Sequence, residues 1–264
     1  MKKNSLFVIV VIICAILIGW VLWSFVMGNP DNFTDAAKTH PKGGNILGTV
    51  FLGGFLVPIL IGLLLMIFTF TFERFIALKN AAGKRDLDKF FHDVEKSLDG
   101  GNVDAVLDLC NQQKGSVANI VRGGIERFRD IRNNTEMTNT QKVAEVKRAL
   151  EEVTMLETPL LERNLVILST IASISTMIGL LGTVFGMIRS FRSLGEGGGG
   201  ASATQLSIGI SEALWNTALG IGGGILAIVL YNVLTNKVDR FVYVIDEATL
   251  NLVESIENRF ITKR

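Results

Sequence analysis

One carboxylate, Glu212, stands inside an otherwise uncharged apolar stretch running from Leu206 to Thr235. A carboxylate at membrane depth is costly unless it meets water or a partner, which makes Glu212 a functional candidate by default. Two chemistries satisfy it: it faces an aqueous path and supplies a negative site to passing ions, or it lies near the headgroups paired with Arg189 or Arg192. Thr170 and Thr217 are hydroxyls in the same kind of surroundings. Taken alone they are weak signals, because a membrane threonine commonly bonds its own backbone at i−4. No nucleophile lies beside a base and no second acid accompanies Glu212, so catalysis is not expected. Cys14 and Cys110 form no CxxC, and His40 and His92 are far apart in the chain, so neither a metal site nor another cofactor is expected.

The elements that must hold these groups follow from the distribution of charge. The chain has 264 residues, of which 48% are apolar and only 19% charged, with a mean hydropathy of +0.40. Soluble domains usually carry about 25% charge, so the deficit points to a membrane protein. The 26 Lys and Arg against 25 Asp and Glu exclude a strongly basic nucleic-acid binder. Four charge-poor stretches stand out, Leu6–Met27, Ile46–Phe72, Leu165–Ile188 and Leu206–Thr235. Each reaches the roughly 20 residues that a helix needs to cross a bilayer core of about 30 Å. The first is too long for a signal h-region, lacks a small-x-small step and carries Trp20 and Trp23 near its far end, so it reads as a retained, lipid-facing anchor with the indoles at the outer interface. If the N-terminus is cytoplasmic, only Lys38, Lys42, Arg189 and Arg192 lie outside, in keeping with the positive-inside rule.

Between the second and third spans the composition is that of a soluble protein. Leu87, Phe90, Phe91, Val94 and Leu98 predict a helix over 85–98, ended by Asp99-Gly100-Gly101. A second helix begins at Val103 with Asn102 as cap, and a third lies near 117–132. A long charged helix from Thr140 to Glu162 is expected to continue into the third span, with Pro159 as a possible kink and the continuity as a route for motion. Gly197-Gly198-Gly199-Gly200 predict a flexible hairpin connection between the last two spans.

Those two spans differ in kind from the first. Gly182/Gly186 and Gly220/Gly224 repeat at four-residue spacing, which lets helix backbones approach closely. One chain offers few partners for so much small and polar surface, so oligomerisation around a shared axis is expected.

The run Leu168-Ser169-Thr170-Ile171-Ala172 with Gly179-Leu180-Leu181-Gly182-Thr183-Val184-Phe185-Gly186-Met187-Ile188 resembles the signature of the MotA/TolQ/ExbB proton-channel family. So do Ile210-Ser211-Glu212-Ala213-Leu214-Trp215-Asn216-Thr217-Ala218-Leu219-Gly220, Tyr231-Asn232 and the step Glu73-Arg74-Phe75. The likeness covers about 46–240 and looks closer to the ExbB/TolQ branch than to MotA. It implies an all-α, multi-pass protein of the bacterial inner membrane that forms a homopentamer. A dimer of an ExbD/TolR-like single-span subunit would sit in its pore, and proton flow would drive a TonB-like transducer or a related envelope process. Thr170, Glu212 and Thr217 match the family's polar pore residues, and where family members often have Pro in the third span this chain has Thr176, a further hydroxyl.

The implied division is an extra N-terminal transmembrane helix over 1–28, a periplasmic loop over 29–45, a second transmembrane helix over 46–78 and a cytoplasmic helical region over 79–162. A pore-lining hairpin over 163–240, packed through Gly179, Gly182, Gly186, Gly220 and Gly224, and a cytoplasmic C-terminal helix over 241–264 complete it. A non-conducting membrane scaffold, with Glu212 merely paired, is the rival reading.

Overall fold

The computed structural model describes residues 2–196 and 200–262, with side chains left undescribed at 2–5, 194, 196, 200–204 and 259–262. Of the expected glycine connection, 197–199 therefore fall outside the described residues. Among the described residues the fold is all-α, and four helices are long and apolar enough to cross a membrane. It divides into two compact units, one of Met1–Phe72 with Leu165–Asn232 and the other of Glu73–Asn164 with Val233–Arg264.

In the first unit, α1 (Lys2–Val21) presents mostly exposed aliphatic residues and buries Ala15 and Gly19. These two meet α3 (Leu56–Ala82), where a Cβ on Gly62 would lie 3.2 Å from the Ile16 Cα and one on Gly19 would strike the Pro58 carbonyl. The first helix is thus seated on its own chain along one small-residue edge, rather than facing lipid all round. A π-turn, Leu22–Met27, follows, with the Gly28 amide donating to the Trp23 carbonyl at 2.9 Å. It turns Trp23 inward: the indole stacks on Phe51 at 4.7 Å and donates from Nε1 to the Phe51 carbonyl at 3.2 Å. Trp20 is exposed, as an interfacial residue would be, whereas Trp23 is a packing residue. The loop over 29–45 is ordered by Asn32, whose amide donates to the Val26 and Met27 carbonyls, and by Asp35, which accepts from Thr39 and from the His40 amide.

The second span, expected as one helix, is two. The helix α2 (Ile46–Phe51) ends at Leu52, and α3 starts at Leu56, with Gly53 and Gly54 between them and Gly54 at φ +72°. Glycine takes that conformation without the Cβ penalty, and Pro58 then sits in the first turn of α3, where a missing N–H costs nothing. Beyond the break, α8 (Leu165–Glu196) and α9 (Gly200–Thr262) complete the unit as an antiparallel pair up to Asn232. The fourth span and the C-terminal helix expected separately are one unbroken helix.

In the second unit the helices between the second and third spans start and end close to where the sequence places them. The helix α4 (Leu87–Asp99) is capped by Asp86 and buries Phe90, Val94 and Leu98. Asn102 caps α5 (Val103–Gln113), accepting from the Ala105 amide, and α6 (Gly115–Ile131) packs glycine against α7 (Asn139–Glu162), where Leu150 fills the space beside Gly124. Gln113, fully buried, donates to the Ala82 and Arg85 carbonyls and accepts from the Arg85 amide, which fixes the turn after α3.

The expected continuity of α7 with the third span does not occur. The helix passes through Pro159 and ends at Glu162, with Asn164 left-handed at φ +63°. Asparagine tolerates that conformation better than most residues. The end is also stabilised by side chains: buried Arg74 pairs with Glu73 and donates to the Leu160 carbonyl at 3.4 Å, while Asn164 donates to Glu73 at 3.4 Å. A carbonyl of the last helical turn thereby finds a donor outside the helix.

Candidate functional site

The seam between α8 and α9 is built on glycine. A Cβ on Gly220 would lie 2.6 Å from the Gly179 Cα, and one on Gly179 would lie 2.9 Å from the Gly220 Cα. Gly186 faces Ala213 at 2.7 Å in the same sense, a Cβ on Gly182 would run into the Asn216 side chain, and Gly224 abuts Thr176. Backbones this close allow hydrogen bonds across the seam. Ser175 Oγ donates to the Gly220 carbonyl at 3.1 Å, and Thr217 Oγ1 lies 3.1 Å from the Gly179 carbonyl and 3.2 Å from the Ala213 carbonyl of its own helix. Thr217 is only half-buried as a residue. A hydroxyl that donates to a carbonyl keeps its acceptor lone pairs.

Glu212 is 3% exposed. Its Oε2 accepts from Arg189 Nη1 at 2.6 Å, and the arginine side chain remains 60% exposed. Of the two chemistries open to Glu212, pairing is present in the protomer, through Arg189. The other oxygen, Oε1, is held against the helix break: a Cβ on Gly54 would come within 2.7 Å of it. One helical turn on, Asn216 Nδ2 donates to the Gly53 carbonyl at 2.9 Å. Non-helical backbone at membrane depth survives only where protein supplies partners, and Asn216 is that partner. Its Oδ1 is buried without one. The break in the second span and the polar end of α9 are therefore one construction.

Thr217, Glu212 and the five packing glycines share this seam. Thr176 is on it as well, donating to the Ala172 carbonyl of its own turn at 3.1 Å. Thr170 is not part of the cluster: it is exposed on α8 and donates to the Val166 carbonyl at 2.7 Å. The sequence reading missed Gly53, Gly54, Asn216 and Ser175 as site residues. The signals were a Gly-Gly pair with Pro58 following inside an apolar run, and an amide four residues after the span's only acid.

A biopolymer transport protein, ExbB-like 3, of Synechocystis sp. is 38% identical over 117 residues, covering 44% of this chain and 55% of the relative. The ExbB biopolymer transport protein of Aquifex aeolicus is 35% identical over 115 residues, covering 44% and 69%. The Tol-Pal system protein TolQ of Pseudomonas aeruginosa is 31% identical over 161 residues, covering 61% and 68%. The match thus spans about half the length of the Synechocystis protein and about two thirds of the other two. The sequence profile of the MotA/TolQ/ExbB proton channel family matches residues 113–247, which take in the α8–α9 seam with Glu212 and Thr217. With that match, and with four helices able to span a bilayer, the chain belongs to the MotA/TolQ/ExbB proton channel family, on its ExbB/TolQ branch, as a multi-pass inner-membrane protein.

Proposed function

We propose that this chain is the stator subunit of a proton-driven motor of the TonB/Tol type, working as a homopentamer around two single-span helices of an ExbD/TolR-like partner. In this reading the termini and the second compact unit are cytoplasmic, and the loop over 29–45 is periplasmic. Thr170, Thr176 and Thr217 line the proton pathway with Glu212 on its outer approach, and the work passes to a TonB-like transducer or a related envelope protein.

The observation that carries this reading is the outer face of the α8–α9 pair. The hairpin closes on itself through glycine, yet Thr170, Ser173, Ala218 and Gly222 remain exposed among the large apolar residues of that face, and a Cβ on Gly222 would meet nothing within 4 Å. Exposed small and hydroxyl residues are poor choices against lipid alone and good ones against another helix. Hydroxyls in such a face pass hydrogen bonds to a partner's protonating acid without a competing fixed charge. The pairing of buried Glu212 with Arg189 favours a second reading, a non-conducting scaffold, because it accounts for the carboxylate without an ion path. Native mass spectrometry of the complex purified with its single-span partner tests the assembly. The motor reading expects five copies of this chain with two of the partner, and a partnerless dimer or an open series of sizes would overturn it.

A further inference from the structure

Within the second compact unit a groove of about 290 Å³ opens between α4 and the distal part of α9. Its floor is apolar, formed by Phe91, Val244 and Leu252 among others, and its rim carries Asp88 and Glu95 from α4 and Glu247 from α9. Among the described residues His92 is the only other titratable one that lines it, and no lysine or arginine does. The acids are not used elsewhere: among the described residues no ion pair engages any of the three, whereas Asp93, on the same helix, is paired with Arg85 at 3.2 Å. The surroundings reinforce the sign, since Asp246, Glu247, Glu254 and Glu257 are the only charged residues between Phe241 and Asn258. A chain with a formal net charge of +1 thus concentrates unpaired negative charge around an apolar floor.

We propose that this groove receives a basic peptide segment of a second polypeptide, with one bulky apolar side chain on the floor and flanking Lys or Arg on the rim. The volume lies at the lower end of small-molecule pockets, which start at about 300 Å³, and suits an anchoring side chain better than a cofactor. The rim repels anionic ligands, and a neutral apolar ligand would leave three carboxylates without counter-charge. A natural source is the cytoplasmic flank of a single-span membrane protein, which is Lys/Arg-rich by the positive-inside rule. That source, unlike the groove's chemistry, rests on the orientation proposed above.

The test uses the full chain in an uncharged maltoside detergent, with Cys14→Ser and an environment-sensitive dye on Asn251→Cys at the groove. Cys110 is buried and burial pushes its thiol up to about 12, so it does not compete for label. The probes are the peptides acetyl-KKFLKK-amide and acetyl-EEFLEE-amide. The expected result is a saturable response to the basic peptide only, weakened by salt, at least about tenfold weaker in Glu95→Lys/Glu247→Lys and abolished in Ala248→Trp. Equal responses to both peptides, or no effect of the charge reversals, would overturn the proposal. So would Asn251→Cys cross-linking between copies without any peptide response, which would assign the face to a second copy. Labelling Asn251→Cys in intact spheroplasts tests the orientation separately: reaction from outside removes the proposed source and leaves peptide binding to stand or fall by itself.

Discussion

Replacing Asn216 by alanine isolates the coupling between the broken second span and α9. The substitution removes the 2.9 Å donation from Nδ2 to the Gly53 carbonyl and leaves that carbonyl buried beside a helix break. An orphaned buried backbone acceptor costs about 1–3 kcal/mol. Two further effects act in opposite directions. The vacated amide leaves a small void against Gly182 and Gly53. The unpartnered Oδ1 disappears as well, recovering a penalty of similar kind to the one created. The net expectation is a loss of about 1–2 kcal/mol, with membrane hydrogen bonds averaging nearer 0.6 kcal/mol as the lower bound. The matching local signature is faster amide exchange over residues 50–57. Asn216→Asp, which cannot donate and places a second carboxylate one turn from Glu212, should be worse than alanine. Reversible unfolding in mixed micelles together with hydrogen–deuterium exchange measures both. Wild-type stability and unchanged exchange at 50–57 in Asn216→Ala would refute the clamp.

Four other perturbations probe separate links. Gly220→Ala should cost about 1–3 kcal/mol by forcing a methyl onto the Gly179 backbone, whereas Gly222→Ala, with nothing within 4 Å, should leave the isolated protomer unchanged; equal effects would contradict the seam. Gln113→Ala should cost about 2–4 kcal/mol by stripping three hydrogen bonds from the turn after α3, read as a lower unfolding midpoint. Hydrogen bonds from the Thr39 side chain and amide, followed by the His40 amide and ring, hold the Asp35 carboxyl down at about 2 against an ordinary 3.8. Since the folded value is depressed, that contribution is complete above the ordinary value and fades as pH falls from 3.8 towards about 2. Exchange at the Thr39 and His40 amides, corrected for intrinsic rates, should rise across that window, and Asp35→Asn should abolish the change.

The second unit was the more legible half in sequence, because local rules decide it. Asn102 marks one helix start, and the period of Phe90, Val94 and Leu98 marks a buried face. The membrane unit was legible as spans but not as architecture. Hydropathy responds to apolar length, and Gly53-Gly54 hardly alters it, so the break stayed hidden; it is stabilised by Asn216, 163 residues away in sequence. The end of α7 at Glu162, rather than a kink at Pro159, likewise depends on Arg74 and Glu73 from a distant segment. The glycine spacing of the last two spans was readable because close packing needs it. Which hydroxyls face inward was not, since Thr170 and Thr176 share a helix and differ only in what lies opposite.

Thr217 tests the central claim most directly, because Thr217→Val keeps the volume, removes the hydroxyl and leaves the glycine seam in place. The measurement is proton flux, followed by a trapped pH-sensitive dye in energised vesicles that hold this chain with its co-purified single-span partner. A conducting stator predicts a partner-dependent flux that falls at least about tenfold in Thr217→Val while the mass of the complex is unchanged. Equal flux in wild type and Thr217→Val, or no flux in the wild type with its partner bound, would contradict it.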